Sequence, residues 1–292
     1  MSQNDNQVTT DNYSPEIIRK YMLQATLQSF GGFAADLCSY PWYTLWIQKQ
    51  SVPSEPTHKL AYTLFRKKQL YAGFSAQAIS SPIGTRLYLW GRDVSLSLFG
   101  KNQVGYFMQG PIGVAFGTIV WAPSMRISTW QQAASTNAAH AFNQKSIFGK
   151  CKTIWQTEGL RSFYRGSLGW GATFALTDSI GSSLLGQILD KYSENDRSGV
   201  FLQFFATTIA FSFATLLTSP IEMITAHLRL HETNKSQFPH KKFKDAARHV
   251  FQTKGCRGFF HAPLSLVAYQ TIWHLVIPLA EYIASSTSHN PR

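Results

Sequence analysis

The chain has 292 residues, of which 14% are charged and 14% aromatic; ordinary soluble domains carry about 25% charge. A net charge of +12 would suit nucleic acid, but its distribution does not. Sixteen of the 27 Lys and Arg fall in three alternate loops, 51–72, 134–166 and 232–261, whereas the short loops 100–104 and 190–197 hold three. That asymmetry marks one side of a membrane, so no nucleic-acid partner is expected.

From the N-terminus, residues 1–15 form a Gln/Asn/Thr-rich stretch with no hydrophobic signal core, and a disordered cap is expected there. Residues 21–48 then contain one charge, Asp36, and residues 71–91 contain only Arg86. Residues 104–125 carry no Asp, Glu, Lys or Arg, and 166–189 carry only Asp178. Residues 198–221 and 258–280 are again free of these charges. Each stretch approaches the roughly 20 residues needed to cross a bilayer, which predicts six spans. Between the paired stretches, residues 58–68, 146–156 and 241–251 read as short basic or amphipathic helices.

Pro41, Pro123 and Pro220 sit near the ends of the first, third and fifth stretches, 82 and 97 residues apart. A feature returning at such intervals points to internal repeats. The predicted divisions are 16–100, 101–197 and 198–285, with a tail at 286–292. Each repeat would be a helix with a proline kink, a surface helix and a second span. Lipid offers the backbone no partners, so the fold class is an all-α membrane protein.

Enzyme chemistry finds no support in the sequence. There is no nucleophile motif, no phosphate-cradling Gly-rich loop and no carboxylate pair. Cys38, Cys151 and Cys256 are too scattered for a disulfide framework or metal cluster. His227 and His231 stand four apart, a metal-ligand spacing, but lack further ligands nearby in sequence, so no metal is expected. Gly113 and Gly117 make a small-residue face for close helix packing.

The residues after the prolines are more specific. Pro41 is followed by Tyr43, Trp46 and Gln50; Pro123 by Met125, Ser128 and Gln132; Pro220 by Glu222, Thr225 and Arg229. Further on come Leu70-Tyr71-Ala72-Gly73, then Glu158-Gly159 with Tyr164-Arg165-Gly166, then Lys254-Gly255. This organisation resembles the mitochondrial carrier family over residues 16 to 285. The resemblance implies six transmembrane helices in three pseudo-threefold repeats with short matrix-side surface helices. It also implies a multi-pass protein of the mitochondrial inner membrane; with the basic loops in the matrix, both termini face the intermembrane space.

In that family an acidic residue two after the proline and a basic residue five after it form an interhelical salt-bridge ring, braced by glutamine nine on. Here one of the six charges survives, Glu222, with no partner from the motif; the braces Gln50 and Gln132 remain. Of a second ring at the opposite face, Asp93 survives. The resemblance places substrate contacts at Ser80, Thr173, Phe174, Tyr269 and Gln270, none of them charged. It adds Asp36, an intramembrane carboxylate that binds a cation or proton, or is a residual polar residue hydrated by a cavity or paired with Arg86 or Arg126. It further implies a cardiolipin site at Phe148, Gly149 and Lys150 with Tyr164, Arg165 and Gly166, where helix N-termini face lipid phosphates. Apart from bound cardiolipin no cofactor is expected.

Two functions follow. One is a degenerate carrier that no longer transports and serves as an accessory subunit of a larger inner-membrane assembly, such as a respiratory-chain complex, with other membrane subunits and lipids as partners. The other is an atypical transporter of a neutral or cationic small molecule.

Overall fold

The computed structural model describes residues 15–51, 54–133, 146–164, 167–192, 199–231 and 242–288. The expected N-terminal cap as far as residue 14, residues 134–145 and 232–241 of the basic loops, and Arg165 and Gly166 lie outside them.

Nine α-helices and no strand occur among the described residues. Six are long: α1 (Pro15–Ser51), α3 (Phe74–Phe99), α4 (Gln103–Ala133), α6 (Ser167–Tyr192), α7 (Gly199–His231) and α9 (Pro263–Ser288). Three are short: α2 (Thr57–Arg66), α5 (Ile147–Glu158) and α8 (Phe243–Lys254). The predicted helices thus fall close to the observed ones.

Local chemistry sets several boundaries. Ser146 caps α5, its Oγ accepting the Gly149 N–H at 3.2 Å, which satisfies a donor that the first turn leaves without a partner. Helices α5 and α8 stop at Gly159 and Gly255, both at positive φ, where glycine carries no steric penalty. In α2, Leu60 and Leu64 are buried, and in α8, Ala246 and Val250. Spacing of four places each pair on one helix face, so these helices lie with an apolar side inward.

The long helices close into a ring. Each packs on the next in the order α1, α3, α4, α6, α7, α9 and back to α1. The proline-bearing helices α1, α4 and α7 also touch one another. Pro41, Pro123 and Pro220 each sit within a continuous helix, as do Pro82, Pro111 and Pro278. Close approach relies on glycine at Gly91, where an added Cβ would stand 2.9 Å from the Gly113 Cα on α4. Of the predicted small-residue face, Gly113 packs against Tyr88 and Arg92 of α3, whereas an added Cβ at Gly117 would meet Trp121 of its own helix.

The distribution of side chains is inverted relative to a soluble protein. Ile79, Ile83, Trp90, Ile119, Phe205 and Ile209 are exposed, while Thr44, Gln50, Ser81, Thr85, Ser128 and Gln132 are buried. Large exposed apolar surfaces of this kind suit lipid. Two stretches among the described residues, Leu202–Leu230 and Cys256–Leu279, are long and apolar enough to cross a membrane by length and composition. The other four predicted spans fall short because their inner faces carry Ser, Thr, Gln and Gly, which lower mean hydropathy without touching lipid.

Candidate functional site: a sealed end, an aromatic centre and a polar cavity

The end of the bundle nearest the short helices is held by polar groups. Arg229 on α7 meets Glu222 on the same helix at 2.5 Å. Its other terminal nitrogen donates to the Tyr43 hydroxyl on α1 at 2.7 Å. Thr225 donates to the second Glu222 carboxylate oxygen at 3.2 Å. Glu222 therefore has a partner, though not one at the motif's three basic positions. Seven residues are about two helical turns, so Arg229 lies under the same face. The proline motif concealed it, because position nine after Pro220 is read there as a glutamine brace.

Of the two braces, Gln132 works. Its side-chain N–H donates to Thr44 Oγ1 at 3.1 Å, and its backbone carbonyl accepts from the Gln48 amide, so α4 is tied to α1. Gln50 is buried with neither side-chain atom partnered among the described residues. Space here is small: Met125, Thr129, Trp170 and Arg229 surround about 10 Å³, roughly one water.

Next along the axis, the centre is filled with rings. Tyr43 packs on Tyr269 with centroids 4.9 Å apart, and on Trp46 at 6.1 Å. Trp273 meets Tyr88 at 5.5 Å, Phe174 at 5.5 Å and Trp121 at 5.9 Å, while Trp170 stacks on Phe174 at 5.5 Å. The edge-to-face contacts of Trp273 with Tyr88, Phe174 and Trp121 add to the burial of large rings. All the helices except the short ones supply a member of this buried cluster.

The residues expected to contact substrate fall in or beside the plug. Phe174 and Tyr269 are part of it. Asp36 accepts from the Trp273 indole N–H at 3.0 Å and from Gln77 at 3.4 Å. The expected pairing with Arg86 or Arg126 does not occur: Arg86 donates to Gln28, and Arg126 lies 4.8 Å from the Trp130 ring centroid. Ser80 is bonded to Ser124 at 2.6 Å. Thr173 donates back to the Gly169 carbonyl at 2.9 Å. Gln270 is buried, and its Oε1 has no partner among the described residues. These six groups thus mostly face protein partners.

Beyond the plug, at the opposite end, a cavity of about 230 Å³ opens. Arg92, Asp93, Gln109 and His274 line it together with Phe211 and Ile277. Arg92 donates to Gln109 at 3.0 Å, to the Tyr88 hydroxyl at 3.3 Å and to Ser182 at 3.5 Å; Ser182 in turn donates to Asp178 at 3.5 Å. Of the cavity's charges, only Asp93 was singled out from sequence. Arg92 escaped because it lies one residue past an apolar stretch, where a charge reads as the start of a loop.

Of the expected lipid site, Phe148 is exposed and Tyr164 half-exposed, its hydroxyl donating to the Ile119 carbonyl at 3.2 Å. Gly149 has given its N–H to Ser146. Lys150 is buried, not turned outward, and burial lowers its pKa below the ordinary lysine value.

A closed ring of helices, with apolar side chains exposed around its outside and Ser, Thr and Gln buried beside the aromatic centre, has the form of a helical membrane protein. The pattern of the mitochondrial carrier protein family matches residues 99–170. Mitochondrial substrate carrier family protein E of Dictyostelium discoideum is 24% identical over 215 residues, covering 65% of this chain and 68% of that protein. Both matches are to the mitochondrial carrier family.

Proposed function

We propose that this protein keeps the carrier scaffold but does not transport, and serves as a structural subunit of a larger inner-membrane assembly such as a respiratory-chain complex. The observation that carries this reading is the placement of the surviving ion pair. Glu222 and Arg229 belong to one helix, so moving α1, α4 and α7 apart leaves the pair intact. A gate needs contacts that break between two discrete arrangements. The contact that crosses from α7 to α1 at this point is the hydrogen bond of Arg229 to Tyr43, and the space beyond it is packed with rings. Both termini then face the intermembrane space, the basic loops face the matrix, and cardiolipin binds in the second repeat, beside the exposed Phe148 and Tyr164.

A transporter of a neutral or cationic solute is the second reading. Buried Asp36 supports it, and so does the name of the relative, a substrate carrier.

Native-gel migration of the tagged protein from gently solubilised mitochondria, with mass spectrometry of the band, separates the two. Co-migration in fixed proportion with a large complex is expected. Migration as a free species, together with solute uptake into proteoliposomes, would overturn the subunit reading.

A further inference from the structure

We infer that the seam between α7 and α9 is a lateral binding site for a single-chain membrane amphiphile with an uncharged, hydrogen-bonding head, of the monoacylglycerol kind. Its tail lies in a groove on the outer face of the bundle and its head reaches the cavity at the open end.

Three observations carry the assignment. First, a groove of about 280 Å³ runs between the two helices, lined by Phe204 and Thr207 on α7 and by Ile272, Leu275 and Leu279 on α9. Phe204 and Leu279 are half-exposed, as are Phe205 and Ile209 on the outward side of α7, so the groove opens toward lipid. Second, Gln203 and Pro278 line both this groove and the cavity of about 230 Å³. An apolar space and a polar one therefore meet at a single gap in the wall of the bundle. Third, the gap has a floor and polar edges. Deeper in the bundle the Ser212 and Thr271 hydroxyls share a hydrogen bond at 3.1 Å, and His274 lies on Phe211 at 3.6 Å, which ties α7 to α9 below it. At the edges, Pro278 within α9 has no N–H, so the His274 carbonyl lacks its helical donor, and Gln203 brings an exposed amide.

The chemistry then selects among amphiphiles. The groove has the volume of about nine waters, room for one chain of roughly ten methylenes and not for two side by side. Left empty it would forfeit dispersion contacts along its whole lining, and a flexible hydrocarbon restores them. The charges beyond the gap are already committed: Arg92 bonds Gln109, Tyr88 and Ser182, and Ser182 bonds Asp178. An anionic head would meet Asp93 and a cationic one Arg92, and either would leave water without a free counter-charge. Hydroxyl groups both donate and accept, so a glycerol head suits the Gln203 amide and the His274 carbonyl.

The test uses the full chain in phosphatidylcholine nanodiscs and, as the probe, a 1-monoacylglycerol with a diazirine midway along its chain. Photolysis followed by peptide mapping should give saturable labelling of the segments 203–207 and 272–279. Unlabelled 1-oleoylglycerol should displace the probe, with oleate and oleylamine weaker by about tenfold or more. Leu279→Trp puts an indole in the groove from an exposed position and should cut labelling about tenfold, and Gln203→Leu about threefold. Ile83→Trp, on the equally exposed face of α3, should leave it unchanged. If Leu279→Trp does not fold, Gln203→Leu decides. Labelling spread over all the lipid-facing helices, equal displacement by oleate or oleylamine, or unaltered labelling in the folded groove variants would overturn the assignment. The inference rests on neither functional reading, since it is read on the purified chain and not from complex membership or uptake.

Discussion

At one end of the bundle Glu222, Arg229 and Tyr43 stand beside a void of about 10 Å³; at the other, Arg92, Asp93 and His274 line about 230 Å³. Both ends carry one guanidinium and one carboxylate among these residues. In the sealed end the charges satisfy each other on one helix and a tyrosine ties them to the next. In the open end consecutive residues on α3 bring the two charges to the same space. The same side-chain types thus make a clamp within one helix at one end and, at the other, a guanidinium tied to Tyr88, Gln109 and Ser182 on three helices beside an open space.

Removing one member of the clamp gives the largest expected effect. Arg229→Met leaves Glu222 buried without its cation and Tyr43 without its donor, a loss of about 3–5 kcal/mol. A steep fall in unfolding temperature in detergent would report it. Glu222→Leu with Arg229→Met removes both charges and should recover most of the loss. If the double variant is as unstable as the single one, the clamp's value lies in its link to α1 and not in charge compensation.

The plug comes next. Phe174→Ala withdraws a ring that Trp170, Trp273, Tyr88 and Trp121 all touch, and should cost about 3 kcal/mol. It should also leave proteoliposomes impermeable to test solutes, because the clamp still seals the far end. Solute flux in this variant would show that the rings alone close the pathway. A smaller loss, about 1–2 kcal/mol, is expected for Gln132→Ala, which strands the buried Thr44 hydroxyl. Asp36→Asn keeps an oxygen for the Trp273 indole and should shift stability by less than about 1 kcal/mol without altering uptake. A clear change in uptake would favour transport over the subunit reading.

The scaffold was legible because its causes are local. Uncharged stretches, three prolines and turn glycines place the nine helices, although the long ones run up to ten residues past the uncharged stretches and only two stretches among the described residues are apolar enough to identify as spans by themselves. Pairing was less legible. The bond from Trp273 to Asp36 joins residues 237 apart in sequence, which no spacing rule reaches. Arg229 could have been found, because a separation of seven places a cation on the same helix face as Glu222. Arg92 could not: its value depends on Gln109, Ser182 and His274 arriving from three other helices.

The smallest prediction concerns the sealed end's outer surface. Lys254 closes α8, and burial, followed by the positive charge of Lys49, lowers its pKa below the ordinary lysine value. Lys49 is itself buried and donates to the Glu55 carbonyl. The charged form of Lys254 is thus disfavoured in the folded state relative to the unfolded one. Between the lowered value and the ordinary one near 10.5, the unfolded chain holds more protons, so stability rises with pH through that window. Below it, both states are protonated and the folded protein carries the full penalty. Lys254→Met should therefore raise the unfolding temperature slightly at pH 7 and flatten the rise just below pH 10.5 relative to the parent. An unchanged slope in that difference would mean that Lys254 stays fully hydrated in the folded protein and that Lys49 does not act on it.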